Sequence, residues 1–137
     1  MDNIILAEYA PHKTVLLTLE LTVARKVLLR QTYSEITGSC ELSYDEEEVE
    51  MLHKFFDELI MALDNDKVHS VKNHRYAVIN GKITEFTISA LTKPGKYTLL
   101  MVVGTGKLMF DDNYTSASRR KLVEFKDRLK CIMDAGV

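Results

Sequence analysis

Seven basic side chains face a single acid between residues 67 and 110: Lys67, Lys72, Arg75, Lys82, Lys93, Lys96 and Lys107 against Glu85. Tyr76, Phe86 and Tyr97 lie among them. Cations spaced along strands and turns can track a phosphate backbone, and aromatic faces between them can take unstacked bases. Read as such a site, Lys72, Arg75, Lys82, Lys93, Lys96 and Lys107 supply backbone contacts, and Tyr76 and Tyr97 supply stacking. The same composition also suits edge strands, where lysine discourages strand-to-strand association.

A second constellation is acidic. Residues 45–66 carry nine Asp/Glu against Lys54 alone, so the overall net charge of −2 conceals two opposed regions. Such asymmetry bears on partners rather than on fold. Glu46, Glu47, Glu50, Asp57 and Glu58 would face a basic protein partner, the alternative to a nucleic-acid site. The run Asp45–Glu48 reads as the charged first turn of a helix, where the dipole favours negative charge, rather than as a metal site.

The catalytic inventory is thin. His12, His53, His69 and His74 have no Cys or paired carboxylates at ligand spacing. Gly104-Thr105-Gly106-Lys107 has the look of a phosphate cradle, but it lies between two strand signals, whereas a P-loop opens a helix. The expectation is a binding protein with no catalytic residue, metal or cofactor. Cys40 and Cys131 lack metal spacing and read as reduced, partly buried thiols, which fits a cytoplasmic or otherwise intracellular setting. The first residues show no basic segment followed by a long apolar one, so no signal peptide is expected. No apolar stretch is long enough to cross a bilayer, and no membrane partner is expected.

The elements that must position these residues follow from periodicity. Residues 3–10 read as a strand and Pro11-His12-Lys13 as a turn. Val15, Leu17, Leu19, Leu21 and Val23 alternate with Leu16, Thr18, Glu20 and Thr22, which is strand period. Another strand runs from about 25 to 37 and breaks at Gly38-Ser39. Residues 45–64 are helical, with Leu52, Phe55, Phe56, Leu59, Ile60 and Leu63 on one stripe and Ser43 or Asp45 as N-cap. Strands follow at 74–79, 82–91 and 97–103, joined by Asn80-Gly81 and Lys93-Pro94-Gly95-Lys96. A short strand through Phe110 leads into a helix over 116–133, with Gly136 just past its end. Phe56 and Ile60 align with Lys126 and Lys130, so the first helix should be the more deeply buried.

The chain also matches itself. Ile36–Asp45 aligns without a gap on Val102–Asp111, with Gly38/Gly104, Leu42/Leu108 and Asp45/Asp111 identical. Self-similarity of this kind points to repeated units. At 137 residues the chain is one domain, built of repeats at about 1–66 and 67–137. The expected class is α+β: internally duplicated antiparallel sheet units, each followed by an amphipathic helix, (ββββα) twice with pseudo-two-fold symmetry. Open sheet edges would favour a homo-oligomer.

This doubled order resembles the Whirly family of single-strand DNA-binding proteins. It is also similar to a tandem form of the transcriptional-coactivator fold, in which two ββββα chains dimerise. The passage Cys40-Glu41-Leu42-Ser43-Tyr44-Asp45-Glu46-Glu47-Glu48-Val49 is similar to the strand-into-helix passage of those coactivators. The resemblance implies strands curved over a core, helices on one side, and single-stranded DNA or RNA lying along the strands.

Overall fold

Val15, Leu17 and Leu19 are buried along one face of a strand, and Val27 and Leu29 are buried beside them on the next. That alternation builds the first of two antiparallel sheets in this α+β fold. The computed structural model describes residues 2–33, 38–44, 46–79 and 81–135, with the backbone alone for 38–44, 46 and 77–79. In the first sheet β1 (Ile4–His12), β2 (Val15–Leu21), β3 (Val27–Tyr33) and β4 (Gly38–Tyr44) pair in chain order. Helix α1 (Glu46–Asp64) follows. The second sheet has β5 (His69–Ile79), β6 (Lys82–Lys93), β7 (Lys96–Val103) and β8 (Gly106–Asn113), again in chain order, and α2 (Ser116–Ala135) ends the described chain.

Several local expectations need correction. Cys131, read as a partly buried thiol, is exposed. β5 begins at His69, ahead of the expected 74. β1 continues through Pro11 and His12, with the turn at Lys13 and Thr14. Gly38 and Ser39 belong to β4 instead of breaking a strand, because Gly38 pairs with Tyr33 and Ser39 with Thr32. Val23 is exposed, since β2 ends at Leu21 and the inward row stops with it. The proposed cap Asp45, Asn80 of the hairpin signal and Gly136 lie outside the described residues, as do the side chains of Ser43 and Cys40.

One apolar cluster joins both sheets and both helices. It contains Leu17, Leu19 and Leu29 of the first sheet, Ile88, Leu99 and Met101 of the second, and Phe56, Leu59, Leu122 and Phe125 of the helices. The helices are exchanged between the sheets: α1 packs on β5 and β6, whereas α2 packs on β1. They run antiparallel, with Arg119 against Asp64 near one end and Lys126 against Asp57 at 3.5 Å further along. Phe56 meets Phe125 between them, ring centroids 5.6 Å apart. α1 buries Val49, Leu52, Phe55, Phe56, Leu59, Ile60, Ala62 and Leu63, while α2 buries Ser118, Leu122, Phe125 and Leu129. Of the two lysines set against Phe56 and Ile60 in the self-alignment, Lys130 is exposed, whereas Lys126 turns towards α1 and Asp57.

The helix ends are closed by local bonds. At the end of α1, Lys67 N–H donates to the Ala62 carbonyl at 3.0 Å and Asp66 N–H to the Leu63 carbonyl at 3.2 Å. Asp66 sits at φ 52°, so this is a Schellman closure with aspartate in the left-handed position that glycine usually fills. At the start of α2, Ser118 N–H donates to Thr115 Oγ1 at 3.2 Å and Thr115 N–H to Ser118 Oγ at 2.7 Å. That reciprocal pair satisfies two amides that the helix itself leaves open.

Candidate functional site

Along β6, Phe86, Ile88, Ala90 and Thr92 turn into the core. Thr87, Ser89, Leu91 and Lys93 therefore stand on the opposite, outer face. Register carries this face across the sheet. Lys72, Ser89, Leu100 and Met109 form one row, and His74, Thr87, Val102 and Lys107 form the next. Ser70, Leu91, Thr98 and Asp111 form a third row, and Lys93 opposes Lys96 at the Pro94-Gly95 turn. α1 packs on the opposite face, which carries Ile88 and Leu99.

The outer face thus gathers Lys72, Lys93, Lys96 and Lys107, all exposed, around a shallow apolar centre of Leu91, Leu100, Val102 and Met109. Among the described residues none of these four lysines is in an ion pair. Tyr76, 67% exposed, projects from the β5 end, edge-on to His74 with centroids 5.6 Å apart. Two acids share the face. Glu85 lies 3.4 Å from His74 Nε2, and Asp111 Oδ1 accepts a hydrogen bond from Thr98 Oγ1.

Three of the residues expected at a site are not on this face. Tyr97 is 2% exposed and points into the core, because Lys96 takes the outward position and alternation turns its neighbour inward. Its hydroxyl donates to Asp112 Oδ2 at 3.0 Å, and Tyr9 of the first sheet donates to the same oxygen at 2.6 Å. Burial first, with Asp112 beside them, raises both phenols above the ordinary tyrosine range, so both keep their protons. Arg75 also faces inward, paired with Glu48 of α1 and lying over the Phe86 ring at 5.9 Å. Lys82 is exposed but opens β6 at the hairpin end, with the parity of the inner face.

The acidic helix divides in a similar way. Glu47, Glu50 and Glu58 are exposed on α1, with Met51 and Met61 on the same stripe. Asp57 is engaged by Lys126. The side chain of Glu46 lies outside the described residues. A separate polar cluster sits on the far side of the first sheet, where Glu20 is 5% exposed. It accepts from Thr18 Oγ1 at 2.7 Å and Asn3 Nδ2 at 3.2 Å, and Arg30 Nε lies 3.6 Å away. The alternation had placed Thr18 and Glu20 on this face but gave no sign that they are buried.

Sequence reasoning also missed His74, Thr87, Ser89, Leu91, Leu100 and Met109 as members of the basic face. Strand parity counted outward from Phe86, Ile88 and Ala90 could have found those on β6; the rest needed the register. Among the described residues no group of three His, Cys, Asp or Glu is placed to hold a metal ion, and no helix is long and apolar enough to cross a membrane. Compared with known proteins, the chain matches no family model and no curated sequence.

Proposed function

We propose that this chain is a non-enzymatic protein that binds single-stranded DNA or RNA across the outer face of the second sheet. The observation that carries this is one exposed face with four lysines outside any ion pair among the described residues, beside an exposed tyrosine and an apolar centre. Lys72, Lys93, Lys96 and Lys107 would hold phosphates, Tyr76 would stack a base, and Leu100, Val102 and Met109 would take base or sugar faces. Lys82 would extend the track at the hairpin, while Arg75 and Tyr97 would act only by holding the sheet. An open sheet face accepts a flexible strand more readily than a duplex, whose bases are already stacked.

The same proposal takes the two halves, about 1–66 and 67–137, as copies of one ββββα unit related by a pseudo-two-fold axis, as in a Whirly-like or tandem coactivator-like fold. The shared element order and the self-alignment support it. A homo-oligomer would extend the binding track by covering the sheet edges.

The test is fluorescence anisotropy with a labelled single strand, the matching duplex and an RNA across a salt series. Affinity should favour single strands and fall with salt, with a log–log slope of about −0.7 for each phosphate neutralised, near −3 if all four lysines engage. Reversing Lys72 and Lys96 to glutamate should abolish binding. Affinity that ignores both salt and these reversals removes the basis for the proposal.

A second proposal rests on the exposed stripe of α1. Glu47, Glu50 and Glu58 flank Met51 and Met61, a combination of acid and adaptable apolar surface that suits a basic protein partner. Neutralising the three glutamates would abolish such an interaction and leave strand binding untouched.

A further inference from the structure

Lys93 and Lys96 are direct cross-strand partners at the turn between β6 and β7. Like charges opposed in this way repel, and no ion pair relieves either one among the described residues. The turn between them is well held. Pro94-Gly95 forms it with Gly95 at φ 76°, the left-handed value that glycine supplies at a type II turn. The Gly95 carbonyl accepts the Tyr114 N–H at 2.8 Å, pinning the hairpin to the start of α2. Two lysines are thus opposed across a held turn, and among the described residues neither is in an ion pair.

They line a cleft of about 590 Å³ that also includes Pro11, His12, Leu91, Thr98 and Asp111. Its size lies within the range of small-molecule pockets, roughly 300–1,000 Å³. The far wall belongs to the first sheet: the turn end of β1 reaches over, and His12 Nε2 bonds the Asp111 carbonyl. That wall closes the outer face at one end, so a strand lying on the sheet would stop there. The cleft is polarised. The lysines form the cationic side, while Asp111 on the other side gives Oδ1 to Thr98 and leaves Oδ2 without a partner among the described residues. Asp112 is already occupied by Tyr9 and Tyr97.

We infer that this cleft receives a nucleoside 5′-phosphate at the end of a strand. A terminal phosphate monoester carries close to two negative charges near neutral pH, whereas an internal diester carries one. The Lys93–Lys96 pair matches the dianion. Leu91 and Pro11 flank the sugar and base, and Asp111 Oδ2 accepts from an exocyclic amino group. That contact selects guanine, adenine or cytosine over thymine or uracil. This assignment rests on the strand binding proposed above and adds polarity to it: the track begins at a 5′ end.

The test compares one oligonucleotide in three forms, 5′-phosphorylated, 5′-hydroxyl and circular, by anisotropy, and titrates dGMP, dTMP and inorganic phosphate by NMR. The phosphorylated form should bind about tenfold tighter than the other two, the effect of one strong charge-assisted contact. Lys93→Gln with Lys96→Gln should erase that preference. Lys72→Gln with Lys107→Gln should weaken all three forms and keep the ratio. Equal affinity for the three forms overturns the end-binding assignment while leaving single-strand binding standing. If no form binds but dGMP shifts resonances of the cleft, and the Lys93/Lys96 variant abolishes the shift, the nucleotide cleft stands and the strand track fails. Inorganic phosphate binding as tightly as dGMP, or dTMP as tightly as dGMP, overturns the base contact.

Discussion

Two tyrosines of similar sequence context have opposite roles because neighbouring strand positions face opposite ways. Tyr76 projects into solvent, whereas Tyr97 is buried with its hydroxyl on Asp112. Tyr76→Ala should weaken strand binding by about 1–3 kcal/mol and change stability by less than about 0.5 kcal/mol. Tyr97→Phe should do the reverse, costing about 1 kcal/mol of stability through the lost hydrogen bond with binding intact. Paired anisotropy and urea titrations decide between them, and equal binding losses in both variants would contradict the assignment. Asp64 offers a test by pH. It sits at the C-terminal end of α1, where its charge opposes the dipole. Arg119 holds it bidentately, 3.0 Å to each oxygen, and Tyr114 donates at 2.6 Å. The Arg119 hydrogen bonds hold its carboxyl below the ordinary carboxylate range, against a smaller opposing effect of burial. A folded-state pKa below the unfolded one adds stability that is present above the unfolded value and disappears as pH falls through the folded one. Arg119→Ala should therefore be less stable than the parent chain at neutral pH, and the gap should narrow as pH falls through and below the ordinary carboxylate range. A gap that widens in acid would contradict this. The pair is exposed, so the effect is expected to be small.

At the scale of elements, α1 carries most of the helical packing and ends abruptly. Its closure places Asp66 at a positive φ, a conformation that costs an L-residue energy which glycine avoids. Asp66→Gly should raise stability by up to about 1 kcal/mol, measured by chemical denaturation; a clear loss would show that the aspartate side chain stabilises the turn. The geometry matters for the site, since Lys67, next in the chain, accepts the buried Thr92 hydroxyl at 2.6 Å and so ties the end of α1 to β6. Both helix spans, the inward rows of β2 and β6 and the Pro94-Gly95 turn were legible in residue types, because period and turn chemistry are local. The extension of β1 through His12 and the start of β4 at Gly38 were not. Proline and glycine are poor strand residues; Pro11 is tolerated because it lies on the edge strand β1 in the irregularity between Tyr9 and His12, and Gly38 because it pairs with Tyr33.

At the scale of the whole molecule, each helix covers part of the sheet of the other half. α1 closes β5 and β6, and α2 closes β1. Tyr9 and Tyr33 of the first sheet both bond β8, to Asp112 and to the Met109 carbonyl. Residues 1–66 or 67–137 expressed alone should therefore fail to fold cooperatively, and mixing the two should restore the far-ultraviolet circular dichroism of the intact chain. A stable, cooperatively melting half would contradict the exchange. Because the basic face is backed by a core built from both halves, loss of either half should also remove strand binding.

Residue types and their spacing determined the α+β class, the amphipathic stripe of α1, the contrast between an acidic helix and basic strands, and most of the cationic residues of the candidate face. These follow from interactions within a turn or a few residues, which the sequence records directly. Tertiary structure alone decided which face of β7 looks outward, the pairing of Arg75 with Glu48, and the cleft that joins Lys93 and Lys96 to His12 and Asp111. A one-residue change of parity inverts a strand, and contacts between residues far apart in the chain depend on how two sheets and two helices share a single core.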